Sequence, residues 1–363
     1  MGWNFLILLS LDQTILSNLI LYLTMRKRYS QIKNLKRVAF SNAVDSIVSL
    51  IIISIGITTL LTLSKWMIFS ANWSVVSINL PLFLFGSFPN DQLWRPGLWI
   101  SLFAIFSLIT LLGPQWSWLR KSLPLLWVSY APLGIFLLAG GIGLSPVESQ
   151  NWGGLTLTIL LTSCSAILSL PLGIALALGR QSTLPIVKNL SSIYIDVMRS
   201  IPLIAVLFFG QLLIPLFLPV GLEIDRVSRA IIAFTLFVSA YIAEDVRGGL
   251  QSISRTQKEA GEVLGLHPFQ ITYLIILPQA LRVALPSLTN QAVGLLQNTS
   301  LMAILGLVEL LGVGRSILAN PEFIGRYIEV YLLLAAIYWI VGTLIALIAR
   351  HLEQQMTLEK KDL

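Results

Sequence analysis

Long apolar runs with almost no charge decide what this chain can become, because a helix needs roughly 20 mostly apolar residues to cross a hydrocarbon core. About eight such runs are present. They lie at Ser46 to Leu63, Leu98 to Leu112, Leu125 to Leu144, Trp152 to Leu178, Ile201 to Leu218, Val227 to Val246, Ala284 to Leu310 and Val330 to Ala349. The third, fourth and fifth contain no charged residue. The run from Leu98 is short and is expected to continue through Gly113 and Pro114 to Trp118. Composition agrees: 11% of the 363 residues are charged, against about a quarter in a soluble domain. The expected fold is therefore an all-α polytopic membrane protein.

The formal charge of +7 does not mark a nucleic-acid binder, because the basic residues sit in short clusters between apolar runs. Arg26 to Arg37, Arg120 with Lys121, and Arg180 with Lys188 fall on one side of the membrane when spans are counted. The bias of Lys and Arg toward the cytoplasm makes that side cytoplasmic. The same count puts the loop from Gly248 to Leu281 and the tail with Arg350, Lys360 and Lys361 there too. A single cysteine, Cys164, excludes an intrachain disulfide, and His267 and His351 are too few for a zinc site.

Residues Met1 to Met25 are apolar but interrupted by Asp12, Gln13 and Asn18, and they lack the basic start and cleavage site of a secretory signal. A ninth span, an interfacial helix and an extension upstream of the natural start all remain open. The expected organisation is an amino-terminal segment 1–44, a three-span extension 45–149, a five-span core 150–355 and a tail 356–363. The external connection from Lys65 to Pro96 is rich in aromatic and turn residues.

Within the polar loop 254–280, Thr256-Gln257-Lys258-Glu259 fits a capping box in which Thr256 and Glu259 satisfy each other's backbone N–H groups. A helix is expected from there, with Ala260, Val263 and Leu264 on a small apolar face and Gly265 as its left-handed stop. Pro268 is placed to open a second helix, which Pro278 closes. The spacing is specific: Glu259-Ala260-Gly261, Gly265 four residues after Gly261, nine residues, then Ile275-Ile276-Leu277-Pro278. At this point the chain resembles the permease subunits of binding-protein-dependent ABC importers, whose loop reads Glu-Ala-Ala, three residues, Gly, nine residues, Ile, any residue, Leu-Pro. Gly261 in place of the second Ala is the one departure.

The resemblance continues through Gly153-Gly154-Leu155-Thr156, Arg199-Ser200-Ile201-Pro202, Ser239 to Glu244 with Arg247-Gly248-Gly249, Leu277 to Arg282 and Leu285 to Gln291, which look like the polar amino-acid permeases. Leu84-Phe85-Gly86 and Asp91 to Pro96 are similar to the longer permeases of polar or general L-amino-acid importers. The resemblance implies a five-helix type I importer core preceded by a three-helix extension. It also implies that Glu259, Ala260, Gly261, Gly265, Leu277 and Pro278 form the coupling element for a separate ATPase. The implied partners are two copies of an ATP-binding subunit, a second permease (a related chain or a copy), an extracytoplasmic amino-acid-binding protein and the lipid of a bacterial plasma membrane. No cofactor is expected on this chain; ATP and Mg belong to the partner, because no GxxxxGK[ST] loop is present.

In the span after Pro286, Gln291, Gly294 and Asn298 recur at helical spacing, with Asn290 and Gln297 beside them and Thr299 next in line. Such amides are costly in a bilayer unless paired or wetted, so they are expected to face the pathway, the partner permease or each other. The permeases resembled read Lys-Asp-Thr-Ser where this chain has Gln297-Asn298-Thr299-Ser300, so cargo preference does not carry over. Arg199, Glu244, Asp245 and Arg247 are expected at cytoplasmic helix ends, as anchors or subunit contacts. Glu309 and Arg315 are expected toward the outside, as surface pairs or contacts with the binding protein. An ion-coupled secondary carrier is the alternative, and the clean span centres argue against it.

Overall fold

The computed structural model describes residues 39–113, 117–219 and 221–358; the amino-terminal segment, with its three readings, lies outside them. The described residues are mostly helical, with no strand among them beyond two isolated bridges. They fall into two units that divide between Asn72 and Trp73. The first contains α1 (Ala43–Phe69), capped by Asn42, whose side chain accepts from the Asp45 N–H. None of its residues is buried, and an apolar surface all round suits a helix surrounded by hydrocarbon.

The second unit holds α2 (Ser74–Phe85), α3 (Trp94–Leu112), α4 (Ser117–Ala139), α5 (Gly154–Arg180), α6 (Pro185–Ser200), α7 (Leu203–Phe208), α8 (Ile214–Phe217) and α9 (Arg226–Ser252). It continues with α10 (Arg255–Val263), α11 (Pro268–Gln270), α12 (Leu277–Asn298), α13 (Leu310–Leu318) and α14 (Tyr327–Leu358). Among the described residues seven helices are long and apolar enough to cross a membrane, or eight if the bent pair of α6 with the α7–α8 stretch counts as one. That bend of 105° arises at Ile201-Pro202, where the proline forces the residue before it out of the helical region (Ile201 φ −92°, ψ 135°).

Two sequence expectations change. α3 stops at Leu112, because Gly113 turns left-handed (φ 63°), so the expected run to Trp118 is not made. The connection read as rich in aromatic and turn residues contains α2, whose twelve residues, most of them apolar, are too short to span and pack instead on α5 and α13. The sequence signal was a run of valine, isoleucine, leucine and phenylalanine without the length of a span.

Small residues let the helices approach closely. α5 and α9 form the tightest pairing; a Cβ on Gly173 would lie 2.4 Å from Ile242 Cγ2. A Cβ on Gly249 would lie 2.3 Å from the Ala280 carbonyl oxygen, which fixes α9 against α12. Gly86 (φ 63°) and Gly153 meet backbone to backbone: a Cβ on Gly86 would stand 2.3 Å from Gly153 Cα. Thr156 donates to the Leu84 carbonyl at 2.8 Å beside them. The Leu84-Phe85-Gly86 and Gly153-Gly154 motifs, distant in sequence, are thus two halves of one contact. α3 and α4 are joined by Trp99 and Tyr130, stacked at 4.8 Å, each donating to the other's backbone carbonyl.

Candidate functional site

α10 and α11 form a helical knob at the end of α9. The expected cap on Thr256 is not made: Ser254 is the N-cap, accepting from the Thr256 N–H at 3.3 Å, and Thr256 is already helical. The chain leaves α9 through Ile253 in an extended conformation (φ −79°, ψ 130°), so the next helix starts as soon as a capping side chain is available. Glu259 therefore lies inside α10, exposed, and among the described residues it makes no hydrogen bond or ion pair.

The stop is as expected. Gly265 is left-handed (φ 73°); its N–H donates to the Glu262 carbonyl at 3.0 Å and the Leu266 N–H to the Gly261 carbonyl at 3.1 Å, the paired bonds of a Schellman turn. Pro268 opens α11 behind a capping box that sequence reading missed: His267 Nδ1 accepts from the Phe269 N–H, and Gln270 Oε1 accepts from the His267 N–H. Histidine is not among the usual N-caps, so only the Pro-x-Gln that follows it hinted at this.

Pro278 does not close the second helix. A π-helical turn, Ile271–Ile276, carries α11 straight into α12, giving one helical stretch from Pro268 to Leu305. A proline removes one N–H and clashes with the carbonyl four residues back, and a wider turn moves that carbonyl away. The π turn Phe209–Leu213 stands just before Pro215 in the same way.

One part of the knob's surface is apolar, with Val263 88% and Leu264 76% exposed beside the exposed charges of Arg255, Lys258, Glu259 and Glu262. Phe269 and Tyr273, also exposed, lie with their rings tilted at 33° and 4.2 Å apart. Ala260 is exposed as well. Gly261 points inward, where a Cβ would come within 2.9 Å of Ile271 Cγ1; glycine here lets α10 settle on the π turn. Leu277 is buried and Pro278 exposed.

Along α12 the polar residues separate into two sets. Asn290 and Gln297 are exposed, and Gly294 between them has open space around it. Gln291 turns the other way and donates to Asp245 Oδ2 at 3.0 Å. Asn298 is half-buried. Thr299 is buried, its hydroxyl donating to the Leu296 carbonyl, so it is not on the open face.

Glu244 ties three helix ends together. It accepts from Arg247 at 2.7 Å and Arg180 at 2.8 Å, with Arg199 at 3.5 Å, while Arg180 also reaches Asp196 at 3.1 Å. Arg199 lies over the Tyr241 ring. Arg180, at the end of α5, and Asp196 on α6 are the members that sequence reading did not include in this group.

Glu309, expected at the surface, is wholly buried. It caps α13 through the N–H groups of Leu311 and Gly312 at 3.0 and 2.9 Å. It also accepts from the Tyr338 hydroxyl of α14 at 2.9 Å and faces Thr158 of α5.

Comparison with known proteins gives the chain its family. Residues 169–358 match the family described as "Binding-protein-dependent transport system inner membrane component". The inner membrane amino-acid ABC transporter permease protein YhdY of Escherichia coli (strain K12) is 39% identical over 78% of each chain. The glutamate/glutamine/aspartate/asparagine transport system permease protein BztC of Rhodobacter capsulatus is 34% identical over 79% of each. A chain in the crystal structure of an amino acid ABC transporter with histidines superposes with a TM-score of 0.50 at 28% identity, covering 56% of this chain and 92% of that one. With the helical core and the loop pattern on the page, these matches establish that the chain belongs to the binding-protein-dependent transport system inner membrane components, the permease subunits of ABC importers.

Proposed function

We propose that this chain carries amino acids across the plasma membrane by alternating access, driven by ATP hydrolysis on partner subunits that grip the α10–α11 knob. The observation that carries the reading is the knob itself: α10 capped at both ends, Val263 and Leu264 exposed on it, Glu259 unpaired among the described residues, and α11 continuous through α12 with the open face of Asn290, Gly294 and Gln297. A rigid element transmits a rigid-body displacement, whereas a loose loop absorbs it. Glu259 meets a basic residue of the ATPase, and Ala260, Val263 and Leu264 fill its groove. Gly261, Gly265, Leu277 and Pro278 keep the knob in shape. Two ATP-binding subunits hold ATP and Mg; this chain holds neither.

The exposed face of α12 meets a second permease, either a copy or a related chain, and lines the pathway with Asn290, Gln297 and, deeper, Asn298. An extracytoplasmic binding protein delivers the cargo, and the carboxy-terminus is cytoplasmic. The names of the relatives support an amino-acid cargo. The test is purification of the solubilised chain, from which an ATPase and a second permease should co-purify, followed by uptake of labelled amino acids in competition. A chain that carries amino acids with no ATPase attached would overturn the reading in favour of an ion-coupled carrier.

A further inference from the structure

A cavity of about 500 Å³ lies among α3, α4, α5, α9, α12 and α14, all of them membrane-spanning helices. Among the described residues no charged side chain lines it, so an amino acid's carboxylate and ammonium would find no counter-charge from them there. Its few polar groups are already paired. The hydroxyls of Thr110, Thr162, Ser163, Ser169 and Thr289 each donate to a carbonyl three or four residues back on their own helix. Gln291 donates to Asp245, the Trp127 indole to Thr110, and Tyr130 to the Trp99 carbonyl. Water needs two to four polar partners to be held in such a space, and here the hydroxyls, their protons committed to their own helices, offer it only scattered lone pairs on a wall that is otherwise carbon. At the rim, Val128 and Leu170 are exposed where the bilayer would touch them.

We propose that this cavity binds one acyl chain of a bilayer phospholipid. The volume separates this occupant from a partner helix: a span ~10 Å across and ~30 Å long fills roughly 2,400 Å³. A chain about 15 Å long, half the hydrocarbon thickness, and about 5 Å across at carbon contact distances fills roughly 300 Å³. One chain fits; a helix does not. The occupant fills the space between α3 and α4 and the helices they face, and lies along α12 from Leu285 to Leu296.

The test uses the full chain, purified in detergent, loaded with phosphatidylethanolamine carrying a brominated acyl chain and then washed in lipid-free detergent. Trp127 lines the cavity, so the part of the fluorescence missing from Trp127→Phe should stay quenched after washing, with phospholipid retained at about one per chain by phosphorus assay. In Ala292→Phe the retained lipid should fall about tenfold, the cost of excluding two methylenes; Ala292→Leu gives a smaller fall if the larger residue prevents folding. Equal retention in the filled variants, loss of the Trp127 quench on washing, or displacement of the lipid by a simple alkyl detergent overturns the proposal.

Discussion

Two carboxylates anchor two regions of this permease, and the protein treats them in opposite ways. Glu309 is sealed inside the junction of α5, α13 and α14, with every nearby donor turned toward it. Glu259 stands on the surface of α10 with no partner of its own chain among the described residues. A buried carboxylate is tolerated only when its hydrogen bonds are made, so the first is part of the architecture. The second costs nothing to leave in water, and its worth appears only when another protein arrives. The difference teaches that, in a transport subunit, the paired acid holds the shape and the unpaired one marks the interface.

Substitutions can break this contrast, and they rank by what they should cost the fold. Glu309→Ala should be the most damaging, because it strands two backbone N–H groups and the Tyr338 hydroxyl, at a loss of about 3 kcal/mol in unfolding of the solubilised chain. Glu309→Gln, which keeps an acceptor, should lose clearly less. Gly265→Val comes next: a β-branched residue at φ 73° is strained by roughly 2 kcal/mol, and uptake should be lost with the knob's shape even where the chain still inserts. Gly261→Ala should cost about 1 kcal/mol or less, since overpacking on Ile271 is offset by the ~1 kcal/mol helix preference of alanine over glycine.

Glu259→Lys should change stability least, by under ~0.5 kcal/mol as for an exposed surface site, and yet abolish transport, measured as uptake into cells with the chain quantified in the membrane. Normal uptake by that variant, or a large loss of stability in it, would erase the distinction between the two acids.

Much of this was legible in the sequence because the governing signals are local. Apolar runs located the spans, and Gly265 with Pro268 located the turn between α10 and α11. What escaped depended on distant partners or on competition between neighbours. Ser254 and Thr256 are both good caps two residues apart, and only the exit of α9 at Ile253 chose between them. Nothing beside Glu309 in the chain reveals that Thr158 and Tyr338 converge on it. The run from Ile201 to Leu218 was found, but not that α6 before it bends into it by 105° at Ile201-Pro202, because a proline signals a break and not its angle. Along α12, regular spacing grouped Gln291 with Asn290 and Gln297, while Asp245 on α9 draws it to the other side.

The π turn between the knob and α12 has a geometric meaning for the whole machine. Such a turn equals an α-helix with one residue inserted, and each residue of an α-helix advances the chain by about 100°. The stretch Ile271–Ile276 therefore works as a phase setting: it fixes the compass bearing of Glu259 relative to α12. Removing one residue there would leave the pathway intact and swing the knob by roughly 100°, away from the groove it is built to enter. The direction in which the motor's stroke is received is thus written in the count of residues along this stretch, independently of which residues they are.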